Sequence, residues 1–119
     1  MSDDPCIYIG GALKIVQSNG YTVYANFNQN GNQLSGYCEH SGGRVKSSGV
    51  EGRVSGQHVD FTITWNNGSK GHYWGDLTQG HFTGSHQGIL KGTSQDVNVP
   101  TSTASWEVHD RVFDRLVPA

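Results

Sequence analysis

The sequence predicts an all-β protein folded as an eight-stranded antiparallel up-and-down β-barrel, and three observations carry that expectation. Residues 58–65 alternate strictly, with Val59, Phe61, Ile63 and Trp65 on one side of an extended ribbon and His58, Asp60, Thr62 and Thr64 on the other. That period of two is the mark of a half-buried strand. Turn signals recur at an even beat: Ser18-Asn19-Gly20, Asn30-Gly31, Ser41-Gly42-Gly43, Ser55-Gly56 and Asn67-Gly68. They are the residue types that tight hairpins require. No segment sustains a helical period, so consecutive hairpins form a meander, which removes its exposed edges by curling shut.

The strands are expected over 11–17, 21–28, 33–40, 44–54, 58–65, 69–77, 89–97 and 104–113. The first is bounded by the turn at Ser18. In the second, Tyr21, Val23, Ala25 and Phe27 share one face, opposite Thr22, Tyr24, Asn26 and Asn28. The third carries a thinner inward row of Leu34, Gly36, Cys38 and His40, which puts Tyr37 outside with Tyr24. The fourth, sixth and seventh carry Gly52, Gly75 and Gly92. Glycine inside a strand weakens it unless the sheet bends there or another group approaches closely, and a small closed barrel uses such glycines to turn its corners. In the sixth strand the parity adopted places Tyr73 outside. In the eighth, Ala104, Trp106, Val108, Asp110 and Val112 face in, while Ser105, Glu107, His109 and Arg111 face out. Residues 112–116 are expected to form at most one helical turn. Asn32-Gln33-Leu34-Ser35-Gly36 echoes Gly88-Ile89-Leu90-Lys91-Gly92, a shared way of opening the second strand of a hairpin.

The chain has 119 residues, the size of a single domain, and 34% are apolar. Seventeen glycines make up part of the difference, a composition suited to an all-β fold with many turns. Three Trp, five Tyr and four Phe at strand spacing argue against disorder. The formal net charge is −2 with His neutral, and the eight basic residues are scattered. Arg44, Lys46 and Arg53 come nearest to a cluster and read as solvated strand positions, so nucleic acid is not an expected partner. No apolar run reaches membrane-spanning length, and the N-terminal Met-Ser-Asp-Asp-Pro lacks the regions of a signal peptide, which points to the cytoplasm. Cys6 and Cys38 can form one disulfide, whereas a cytosolic compartment favours free thiols.

Several segments resemble the avidin and streptavidin family, within the wider group of lipocalin-like barrels. Leu34-Ser35-Gly36-Tyr37-Cys38-Glu39 is similar to that family's third strand, and Phe61-Thr62-Ile63-Thr64-Trp65 to its fifth. His72-Tyr73-Trp74-Gly75-Asp76 is similar to the sixth, and Ala104-Ser105-Trp106-Glu107 with Asp110 to the eighth. The resemblance implies a ligand end lined by Trp65, Trp74 and Trp106, with polar groups from the first hairpin and the loop after strand three. It is one of architecture and does not extend to the biotin site. The tyrosine expected on strand three falls at Cys38, His40 stands where a small hydroxyl residue is expected, and the strand-seven tryptophan has no counterpart in 89–97.

In an up-and-down barrel alternate turns gather at one end, here 17–20, 40–43, 65–69 and 96–103. That end combines aromatic faces with Asn, Ser, Thr and His groups, the mixture of a concave small-molecule site. The first functional expectation is therefore a non-catalytic barrel binding a small ligand, with Trp65, Trp74 and Trp106 as walls and His40, Asn67 and Asp110 as polar contacts. The alternative for these tryptophans is a filled core. A second reading is a lectin-like module in which aromatics stack on a sugar while Asn and Asp bond its hydroxyls. A third is a small barrel enzyme of cyclase or isomerase type, using His40 and Asp110 as acid and base, with Cys38 and His40 on one inward face. No nucleophile-elbow motif supports catalysis. The loop 78–88, with His81, Phe82 and His86, reads as a lid, a contact loop or an extended hairpin. Neither the spacing of His81 and His86 nor that of Cys38 and His40 is a metal signature, so no metal or cofactor is expected. Outward Tyr24, Tyr37 and Tyr73 are candidate subunit contacts for a homo-oligomer.

Overall fold

A computed structural model describes residues 5–78, 89–109, 113 and 116–118. Eight antiparallel strands close into a barrel in simple sequence order: β2 (Gly11–Gln17), β3 (Thr22–Asn30), β4 (Gln33–His40), β5 (Val45–Ser55), β6 (His58–Trp65), β7 (Lys70–Thr78), β8 (Ile89–Asp96) and β9 (Thr103–His109). The barrel closes where β2 meets β9, with Ile15 opposite Val108 and Gln17 opposite Trp106. The expected up-and-down barrel is thus the observed one, with strand ends moved by a residue or two except in the last, expected to reach 113 and described to His109. The loop 79–88, with His81 and His86, and Asp110 lie outside the described residues.

Two short strands come in addition. β1 (Pro5–Ile7) pairs antiparallel with β10 (Leu116–Pro118), Cys6 opposite Val117. Residues 116–118 are therefore strand, with Leu116 and Val117 finding ladder partners at the other end of the chain; of the segment 112–116, expected to form at most one helical turn, residues 112, 114 and 115 lie outside the described residues. Together β1 and β10 close one barrel end. Cys6, Ile7 and Ile9 are fully buried, Phe113 nearly so, and the Ile7 amide donates to the Gly56 carbonyl at 2.8 Å. Gln29 clamps this plug: its Oε1 accepts from the Ile9 amide at 2.7 Å, and its Nε2 donates to the carbonyls of Ile7 at 2.9 Å and Gly31 at 3.0 Å. The two cysteines are free and buried, far apart in role: Cys6 in the plug, Cys38 in the barrel wall facing in.

Inside, alternation places Val59, Phe61, Ile63 and Trp65 of β6 in the core, as the period of two requires. Phe61 is the hub. Its ring stacks on Tyr73 at 5.1 Å and meets the edges of Phe27 at 5.0 Å and Trp106 at 6.1 Å.

The strand glycines make room for these rings. Gly36 lies opposite Phe27, and Gly52 opposite Phe61. Gly75 and Gly92 face each other across β7 and β8, where a Cβ on Gly92 would overlap the Trp74 carbonyl oxygen and Gly75 Cα. Both obstacles are backbone, so the strands themselves would have to separate. Gly92→Ala is expected to destabilise the barrel by roughly 1–3 kcal/mol, measured as a lower urea midpoint at unchanged slope, whereas Gly49→Ala, with open space at its Cβ, should leave the midpoint close to wild type.

Candidate functional site

The barrel is filled below and hollow above. At the end opposite the plug, the turns after β2, β4, β6 and β8 surround a cavity of about 280 Å³. It lies near the small end of the range for ligand sites. Its walls come from Tyr21 and Val23 of the first hairpin, His40 at the end of β4, Trp65 at the end of β6 and Tyr73 of β7. Gln17, Ser94 and Ala104 also line it, and Asn67, Ser69, Lys70, Gln95, Asp96, Ser102 and Thr103 border its rim.

Gln17 is the polar group reached by continuing the inward row Leu13, Ile15, and it is only 9% exposed. Its Oε1 accepts the Tyr73 hydroxyl at 2.9 Å and a longer bond from Ser94 Oγ at 3.5 Å. Ser94 Oγ also lies 3.4 Å from the Ala104 carbonyl. With its oxygen occupied, Gln17 presents an Nε2 amide whose protons have no hydrogen-bond partner among the described residues. Among the described residues no buried side-chain nitrogen or oxygen lacks a partner, so this amide is open to the cavity and to the water in it, ready to donate to whatever enters.

Around the rim, aromatic rings run from Tyr21 to His40 to Trp65, with centroids 5.3 and 4.6 Å apart and both contacts edge-on. His40 Nδ1 lies 2.8 Å from Ser41 Oγ, and Ser41 holds a left-handed backbone with φ 56°. Desolvation holds the His40 imidazole below its ordinary value, so the ring is neutral at neutral pH. Cys38 is fully buried beneath it, and burial pushes its thiol up to about 12. Burial, and secondarily the proximity of Cys38, also raises the Tyr73 hydroxyl. Neither group ionises at neutral pH, and Cys38 is a core thiol, not an activated nucleophile.

The rim amides are largely committed to their own turns. Asn67 Oδ1 accepts from the Ser69 amide at 3.1 Å and Ser69 Oγ at 2.7 Å, and Asn19 Oδ1 accepts from the Tyr21 amide at 3.2 Å. Asp96 Oδ1 holds the Asn98 and Val99 amides at 2.8 and 3.2 Å.

The expected site residues therefore separate. His40, Trp65 and Asn67 meet at the cavity. Trp106 faces in but belongs to the packed region below, its Nε1 donating to the Thr93 carbonyl at 2.8 Å. Trp74 is on the outer wall, its ring 4.7 Å from that of His72, which bonds Asp60 at 2.8 Å. The parity of β7 is thus the reverse of the expected one: Tyr73 is buried inside, opposite Phe61, and Trp74 points out. Tyr24 and Tyr37 do face outward and are exposed. Asp110 lies outside the described residues. Among the described residues, no group of three or more His, Cys, Asp or Glu side chains is placed to hold a metal ion.

Among solved structures, the chain is similar to a low-affinity mutant of shwanavidin. The match covers 87% of this chain and 98% of that one, with a TM-score of 0.57 and 19% sequence identity. The fold is avidin-like. No family model and no curated protein sequence matches the chain. At this identity the likeness concerns the fold, and the lining of the avidin-like barrel has to be read from its own residues.

Proposed function

We propose that this avidin-like barrel is a non-catalytic binding protein that takes one small uncharged molecule into its open mouth. The observation that carries the reading is the open cavity itself, onto which the Gln17 amide opens with its oxygen held by Tyr73 and its nitrogen bonded to no group of the described residues. It calls for a ligand with a hydrogen-bond acceptor at its inner end, a carbonyl or an equivalent group, and an apolar body against Trp65 and Val23. Lys70 and Asp96 bring the charges on the cavity lining, and both belong to the rim, so nothing at the inner end compensates a buried ion. The volume suits a compact molecule, not a long chain. A lectin-like role is less well supported, because the Asn and Asp oxygens at the rim already accept turn amides.

The test is ligand-detected NMR with small amides. Gln17→Met should weaken binding about tenfold, equivalent to roughly 1.4 kcal/mol, with the amide fingerprint of the barrel retained. Binding of equal strength in Gln17→Met and in Trp65→Ala would remove the mouth as the site.

A further inference from the structure

One side chain at the mouth can change charge as the solution becomes acid, and its position gives that charge a consequence. His40 ends β4 on the cavity wall, flanked by Trp65 and Tyr21, with Ser41 Oγ on Nδ1. Among the described residues no carboxylate stands within ion-pair distance of its ring. Asp96 of β8 and Lys70 of β7 line the same cavity, while Gln17, Tyr73 and Ser94 bring no charge to it at neutral pH. Glu39, the next residue along β4, bonds Tyr37 on the outer face and lies across from Lys46.

We propose that His40 sets the charge class of ligand that the mouth accepts: uncharged molecules while its ring is neutral, carboxylates once it is protonated. This rests on the mouth being the binding site. An uncharged ligand that covers the ring takes away its remaining water and disfavours the imidazolium, so ligand and proton exclude each other. A carboxylate seated against the ring favours the imidazolium, so ligand and proton bind together, and Lys70 adds to the same field. The sign follows from the ring's own state. Held below its ordinary value by burial, it is neutral at neutral pH and gains its proton only as the solution becomes acid. The same linkage acts on folding. Stability associated with the neutral ring is complete above the ordinary histidine value and is lost as pH falls through it toward the folded-state value.

The experiment uses benzamide and benzoate, matched in shape and different in charge, titrated into the isotope-labelled full chain at about pH 7.5 and about pH 5.5, a range over which a carboxylate stays ionised. Affinities are read from the shifts of Gln17 and Trp65 side-chain signals, and His40 protonation from its own ring signals. Benzoate is expected to bind at least about fivefold more tightly at the lower pH and benzamide correspondingly less tightly. His40→Gln should flatten both dependences, with His40→Asn as a second variant should the first fold poorly. Binding whose pH dependence persists in both variants, or a titrating His40 without any change in affinity, would overturn the proposal. Absence of cavity shifts with either compound at both pH values would overturn the mouth as a binding site, and this inference with it.

Discussion

Phe61→Ala is expected to cost the protein about 3–5 kcal/mol of stability, the range for removing a fully buried phenylalanine ring. Phe61 is 1% exposed and touches three other rings, two edge-on and one stacked. Collapse around the loss is restricted, since Gly52 opposite it has no side chain to move in. Urea unfolding followed by fluorescence measures the loss as a lower midpoint at unchanged slope. Trp65→Ala supplies the contrast. Its ring borders the hollow, so part of its surface has no packing partner to lose, and its removal should cost less stability and more binding. The Phe61 void opens beneath Tyr73, on the floor of the mouth, so the variant should also accept ligands longer than the wild type does. A loss of unfolding free energy under about 1 kcal/mol would mean that the ring cluster is not the centre of the core.

Much of the barrel is legible in the chain because its signals are local. The row Val59, Phe61, Ile63, Trp65 and the Asn67-Gly68 turn lie within a dozen residues, and each says the same thing about strand and hairpin. Counting turns then assigns ends without any further information, which is why residues near 17–20, 40–43, 65–69 and 96–103 are found together at the mouth. Strand β7 fails the same method for a physical reason. Its inward positions include Gly71 and Gly75, which have no side chains to mark a face, so only Tyr73 and Leu77 carry the inward signal. Trp74 next to them is the larger apolar residue and draws the parity the wrong way. What decides the matter is the register of Tyr73 with Phe61, a contact between strands.

The site shows the same division. His40 and Trp65 stand at the ends of recognisable inward rows, so their place at the mouth follows from alternation. Gln17 and Ser94 sit on inward rows too, toward the mouth from Leu13 and Ile15 in one case and from Leu90 in the other. A polar residue at an inward position near a strand end is a usable signal for a lining group, although by itself it does not separate a lining group from a solvated strand end. That the Gln17 oxygen is occupied while its amide is free depends on Tyr73 and Ser94, 56 and 77 residues away. No spacing rule reaches that far.

The plug was also illegible, and its chemistry leads to the second large effect. Three-residue strands are too short for any periodicity, and β1 finds its partner at the opposite end of the chain. Yet one side chain ties the segment to the barrel. Gln29→Leu is expected to lose about 2–4 kcal/mol, because the Ile9 amide and the Ile7 carbonyl would each lose a partner at roughly 1–2 kcal/mol, while the Gly31 carbonyl keeps the Cys6 thiol at 3.5 Å. The leucine nearly preserves volume, so packing alone predicts little change. Gln29→Glu separates the two contributions: it keeps the acceptor for the Ile9 amide but places an acceptor where the two carbonyls need a donor. Amide exchange gives the local readout. In Gln29→Leu the amides of Ile7 and Ile9 should lose protection well before those of β6, showing that the plug opens as a unit ahead of the barrel. Should both regions lose protection equally, the plug would be part of one cooperative core, and the bonds to Gln29 would be stabilising the whole barrel. A free energy within about 0.5 kcal/mol of wild type would instead show that water replaces all three bonds at this end.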